Sequence, residues 1–136
     1  MQITLWWLWY NGIKGQAREV RFLEDLELAH KVIDIASDKQ ASDIVLLDTR
    51  GVCNFADYFV ICTGESKPQI KAIVDSIAEA LKKDNAHLLH QEGTAESGWV
   101  LLDYGSVVVH VFGSFERDYY QLDQLWENAC TKVRVP

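Results

Sequence analysis

Residues 98–113, GWVLLDYGSVVVHVFG, constrain the fold more tightly than any other segment of the chain. Two runs rich in apolar and β-branched residues flank a Gly-Ser pair, the pattern of a β-hairpin. A type II′ turn favours glycine at its first central position, which puts Gly105 and Ser106 in the turn. Tyr104 then faces Val107, Asp103 faces Val108, Leu101 faces His110 and Trp99 faces Phe112. Cross-strand partners share a face of the sheet. One face therefore collects Val100, Leu102, Tyr104, Val107, Val109 and Val111, and the other collects Trp99, Leu101, Asp103, Val108, His110 and Phe112. A turn at Tyr104-Gly105 leaves these sets unchanged, whereas a three-residue loop would exchange them.

The first face is almost wholly aliphatic and suits a core beneath helices. The second carries two aromatic rings, a histidine and a carboxylate, the composition of an interface hot spot, and is expected to face a partner. Between Asn85 and Glu116 there is no Lys or Arg, while Glu92, Glu96 and Asp103 are acidic. The patch should be negative and unsuited to RNA phosphates. The competing reading makes His110 a buried core residue, bonded to Asp103 or a backbone carbonyl, with Trp99 covered by a helix. Histidine and tryptophan are both intermediate in burial, so either reading is open from these residues alone.

Elsewhere, Leu23–Ser37 places Leu28, Ala29, Val32, Ile33, Ile35 and Ala36 along one broad helical stripe. DIVLLDT (43–49) and DYFVICTG (57–64) read as central strands joined by the loop RGVCNFA. The next helix has a marked start, with Ser66 as N-cap, Pro68 in the first turn and Gln69 three residues beyond the cap. HLLHQEG (87–93) is read as a short strand. A closing helix is expected over SFERDYYQLDQLWENACTK, with Phe115, Tyr119, Leu122, Trp126 and Ala129 on its inner face. The order is α-β-β-α-β-β-β-α: a mixed sheet of about five strands flanked by three helices, an α/β (α+β) layer fold.

A length of 136 residues suits one domain, assigned to 21–136. The first 20 residues, MQITLWWLWYNGIKGQAREV, look foreign to it: three tryptophans in no periodic pattern, then a Gly/Lys/Gln stretch. They are read as an appendage, either disordered or the product of a start site assigned too early, with docking of the Trp cluster as the alternative. The apolar run is too short to span a bilayer and lacks the basic start of a signal peptide. Cys53, Cys62 and Cys130 are odd in number and show no CxxC spacing, which indicates neither a disulfide framework nor zinc and points to a reducing compartment. A net charge of −7 and a pI near 5.0 argue against direct nucleic-acid binding and are compatible with a basic protein partner.

An enzymatic reading finds little to build on. TGES (63–66) puts a glycine and a capping serine between strand and helix, where backbone N–H groups can hold an anion, but a plain helix cap explains it. Nucleotidyltransferases add acidic residues at i, i+2 on a neighbouring strand to hold two metals, and here Asp48 and Asp103 each stand alone. His110 and Asp103 have no nucleophile elbow to complete a triad. His87 and His90 fall on opposite faces of a strand, with no third metal ligand. No catalytic residue, cofactor or metal is assigned.

FADYFVICTGES, EGTAESGWVLLDYGSVVVHVF and RDYYQLDQLW together resemble the Iojap-like family, the ribosomal silencing factors. The resemblance runs from about Leu26 to Trp126 and implies a nucleotidyltransferase-like fold without the acidic pair. It also implies a cytoplasmic protein that is not an enzyme: it binds the large ribosomal subunit through ribosomal protein L-fourteen, blocks joining of the small subunit by occlusion and represses translation under nutrient limitation. Trp99, Leu101, Asp103, Tyr104 and His110 match the family's motif positions and are taken as partner-binding candidates, with Tyr58 and Tyr120. The competing functions are a residual nucleotide-binding or nucleotidyltransferase activity at TGES and a homodimer formed through the same face.

Overall fold

The computed structural model describes residues 12–51, 56–125 and 131–135. The tryptophans of residues 6–9, Cys53, Trp126, Ala129 and Cys130 lie outside the described residues. Helix α1 spans Gly12–Asp38, so of the segment 1–20 set apart above, the part from Gly12 onward is helical. Strands β1 (Ser42–Asp48) and β2 (Tyr58–Gly64) follow, then α2 (Lys67–Lys83), β3 (His90–Glu92), β4 (Trp99–Asp103) and β5 (Val107–Gly113). Two short helices, α3 (Ser114–Tyr120) and α4 (Leu122–Leu125), lead to β6 (Thr131–Val135).

The strands form one mixed sheet in the order β3-β4-β5-β2-β1-β6. Among the described strands the central pair β2–β5 is parallel and the other pairs are antiparallel. Parallel strands need a crossover, and α2 supplies it, packing Ile70, Ile73, Val74, Ile77 and Leu81 onto the sheet. Its start is the expected one: Ser66 Oγ accepts the Gln69 N–H at 3.2 Å. The Gln69 side chain turns back to accept the Glu65 N–H at 2.6 Å and donates to the Lys39 and Gln40 carbonyls, tying the end of α1 to the start of α2.

The hairpin has the register expected from its sequence, with Trp99 opposite Phe112, Leu101 opposite His110 and Asp103 opposite Val108. Gly105 takes φ +92°, as the first central position of a type II′ turn requires, and the Tyr104 N–H donates to the Val107 carbonyl at 2.9 Å. Val100, Leu102, Tyr104, Val107, Val109 and Val111 join Ala29, Val32 and the inner residues of α2 in the larger core. Val108 and Phe112 join Val45, Leu47, Phe59 and Ile61 in a smaller core on the opposite face.

Two expectations about the C-terminal part are corrected. The closing helix stops at Tyr120, because Gln121 takes a left-handed conformation, φ 48°, and caps the helix through its N–H to the Arg117 carbonyl. Phe115 and Tyr119, assigned to its buried face, are 71% and 70% exposed. The stretch TKVRV is a sixth strand, pairing antiparallel with β1, and not the end of a helix.

Candidate functional site

The sheet has two unequal faces. Helices α1 and α2 pack on one of them, and among the described residues α3 and Leu122 of α4 lie against the other. Along its margin run Trp99, Leu101 and Tyr120, which with Glu92, Gly93 and Ser97 line a shallow cleft of about 280 Å³. The Trp99 ring is the hub of this strip. It packs 4.6 Å from Tyr120 and 4.9 Å from Phe112, and its Nε1–H donates to His110 Nδ1 at 3.2 Å. Continuing outward, Tyr120 meets Tyr119 edge-on at 5.0 Å, and Tyr119 stacks with Phe115 at 5.8 Å. Half-buried rings thus grade into exposed ones, with Tyr120 at 49% exposure.

The seven residues expected to bind a partner fall into two groups. Trp99, Leu101, Asp103, His110 and Tyr120 lie on this face, as the alternation required. Tyr58 and Tyr104 do not: Tyr58 pairs with Val107, and both tyrosines are buried in the core under the helices. His110 is on the right face but is only 4% exposed. Its strand is interior, flanked by β2 and β4, and the rings of Trp99, Phe59 and Phe112 surround it. The reading of His110 as buried is therefore the correct one, although its partner is Trp99 and not Asp103 or a carbonyl. Burial in this apolar setting lowers its pKa to about 4, so the imidazole is neutral at ordinary pH. Asp103 is half-buried and accepts the Gly105 N–H at 2.8 Å, which fixes the turn.

Phe115 and Tyr119 are the members of the strip that sequence spacing missed, because i, i+4 aromatics look like a core stripe in a long helix. A seven-residue helix has less to bury, and three large rings among Ser114–Tyr120 signal a surplus. Arg117 was missed as well. It is buried, donates to Thr63 Oγ1 at 2.9 Å and lies 3.4 Å from Asp43, which also pairs with Arg134 of β6.

The anion-site reading of TGES fares poorly against this geometry. The Glu65 carboxylate lies at the end of β2 and accepts from the Ser42 and Ser114 hydroxyls at 3.0 and 3.3 Å. A phosphate there would meet a carboxylate. Asp48 and Asp103 sit on opposite faces, three strand spacings or about 14 Å apart. Asp48 is held by Arg50 at 2.5 Å, which keeps its carboxyl below the usual range. Among the described residues no cluster of His, Cys, Asp and Glu could hold a metal ion. Cys62 is fully buried, and burial pushes its thiol up to about 12, far from a reactive thiolate.

A mixed sheet sealed by helices on one face and edged by an aromatic strip on the other defines a small α+β layer domain whose distinguishing feature is a surface. The model of the family described as "Ribosomal silencing factor during starvation" matches residues 23–136. A ribosomal silencing factor of Bacillus subtilis is 46% identical over 92 residues, covering 68% of this chain and 78% of that protein. One from Halalkalibacterium halodurans is 37% identical over 109 residues, covering 80% and 93%. The chloroplastic Iojap protein of Arabidopsis thaliana is 33% identical over 113 residues, covering 83% of this chain and 47% of that protein. A crystal structure from Chromobacterium violaceum superposes with a TM-score of 0.73 at 34% identity, covering 76% of this chain and 86% of that one. The chain belongs to the ribosomal silencing factor family, the Iojap-like proteins.

Proposed function

We propose that this protein binds the large ribosomal subunit through ribosomal protein L-fourteen and sterically blocks joining of the small subunit, repressing translation under nutrient limitation without catalytic turnover. Family membership supports the ribosomal role, and the observation that carries the contact is the graded aromatic strip Trp99–Tyr120–Tyr119–Phe115 beside the half-buried Leu101. Aromatic anchors at the edge of a packed core are where binding energy concentrates. The acidic flank supplied by Glu92 and Asp103 suits a basic ribosomal protein better than rRNA. Of the seven candidates, Trp99, Leu101, Asp103 and Tyr120 are accessible enough to touch that partner; His110 sits behind the strip, and Tyr58 and Tyr104 are buried on the opposite face and are not part of the contact.

The test is co-sedimentation with salt-washed large subunits, followed by a subunit-joining assay. Tyr120→Ala removes an exposed ring and should weaken binding about tenfold or more, the size expected of a hot-spot aromatic. Joining should be inhibited in proportion to occupancy. Binding unaffected by Tyr120→Ala would remove this strip from the contact, and binding that leaves joining untouched would remove the occlusion mechanism.

A further inference from the structure

We propose that His110 is a positioning residue for the interface: seated behind the strip, it sets the plane of the Trp99 indole by accepting its N–H, so that a pre-ordered ring meets the partner. This rests on the reading of the strip as the docking surface. The geometry supports it from three sides. His110 Nδ1 accepts from Trp99 Nε1 at 3.2 Å. The imidazole is itself fixed, edge-on to Phe59 at 5.1 Å and within 11° of parallel to Phe112 at 6.2 Å. Leu101 lies directly across from it and completes the wall beside the indole.

A histidine is a poor choice here on stability grounds. With Nδ1 accepting, the neutral ring carries its proton on Nε2, and Nε2 is buried with no hydrogen-bond partner among the described residues. Leaving a buried donor unsatisfied is costly, and a leucine or phenylalanine of similar size would carry no such cost. What those residues lack is the acceptor facing Trp99. Because burial keeps the ring neutral down to about pH 4, that acceptor persists across the physiological range. A ring already held in its bound orientation loses less freedom on association, so the effect should appear in affinity as well as in the free protein.

The experiment compares His110→Leu and His110→Asn, alone and combined with Trp99→Phe, with His110→Phe as a second apolar variant should the leucine fail to fold. The first readout needs no ribosome: hydrogen exchange of the Trp99 indole N–H, assigned by its disappearance in Trp99→Phe. His110→Leu should lose protection, and His110→Asn, whose Oδ1 replaces Nδ1, should restore it. The second readout is affinity for large subunits, expected to fall about three- to tenfold in His110→Leu, to recover in His110→Asn, and to be insensitive to His110→Leu when residue 99 is already phenylalanine. Unchanged indole exchange in the apolar variants, or an equal affinity loss in both backgrounds, overturns the proposal. If the unaltered protein fails to bind large subunits, the docking reading fails by itself, and indole exchange still decides whether His110 holds the ring.

Discussion

His110 takes its properties from its neighbours. A histidine set among Trp99, Phe59 and Phe112 loses the hydration that stabilises imidazolium, and its pKa falls from 6.5 to about 4. The linkage has a definite sign. In the unfolded chain the residue takes up a proton below about pH 6.5, whereas in the folded chain it resists until about pH 4. Its contribution to stability is therefore complete above pH 6.5 and is lost progressively as the pH falls toward 4. The loss is of the order of 3 kcal/mol at most, from about 1.4 kcal/mol per pH unit. Asp48, lowered by Arg50, acts in the same direction, but only below its ordinary value of 3.8. Chemical denaturation at pH 7, 5.5 and 4.5 should show a declining free energy that His110→Leu flattens; an identical decline in the variant would assign it to other groups.

At the scale of elements, the departures from a sequence-based reading share one origin. The hairpin was legible to the residue, because Gly105 pins the turn and a period of two then assigns every side chain to a face. Helix α2 was equally legible from Ser66, Gln69 and its stripe of isoleucines. Illegible was the point where the chain leaves α3, since the left-handed residue there is Gln121, which carries none of the signal a glycine would give. Missing that break merged α3, α4 and the first two residues of β6 into one helix and assigned Phe115 and Tyr119 to a buried face. The alternation in TKVRV was a strand signal, cut across by a supposed helix that ran to Lys132. A non-glycine residue in the left-handed region costs about 1 kcal/mol. Gln121→Gly should therefore raise stability by somewhat less than that, measured as a higher midpoint in urea at an unchanged slope. A lower midpoint would mean that the glutamine side chain contributes more than its backbone conformation costs.

At the scale of the whole molecule, the basic partner proposed above would meet an acidic surface. Its net charge is −7, and the strip at the sheet margin is bordered by Glu92 and Asp103, with no Lys or Arg anywhere from Asn85 to Glu116. The ends of the parallel strands, where related folds receive phosphate, hold the Glu65 carboxylate, so the same charge that favours a basic protein disfavours a nucleotide. Charge and rings should divide the work of binding kinetically. Long-range attraction is screened over about 8 Å at physiological ionic strength, so it acts on encounter, whereas the buried rings act after docking. With immobilised large subunits, raising salt from about 50 to 300 mM should slow association several-fold and leave dissociation nearly unchanged. Tyr120→Ala should do the reverse, speeding dissociation with little effect on association. A salt effect confined to dissociation would place the acidic groups inside the contact as ion pairs, and a rate of association insensitive to salt would end the case for electrostatic steering.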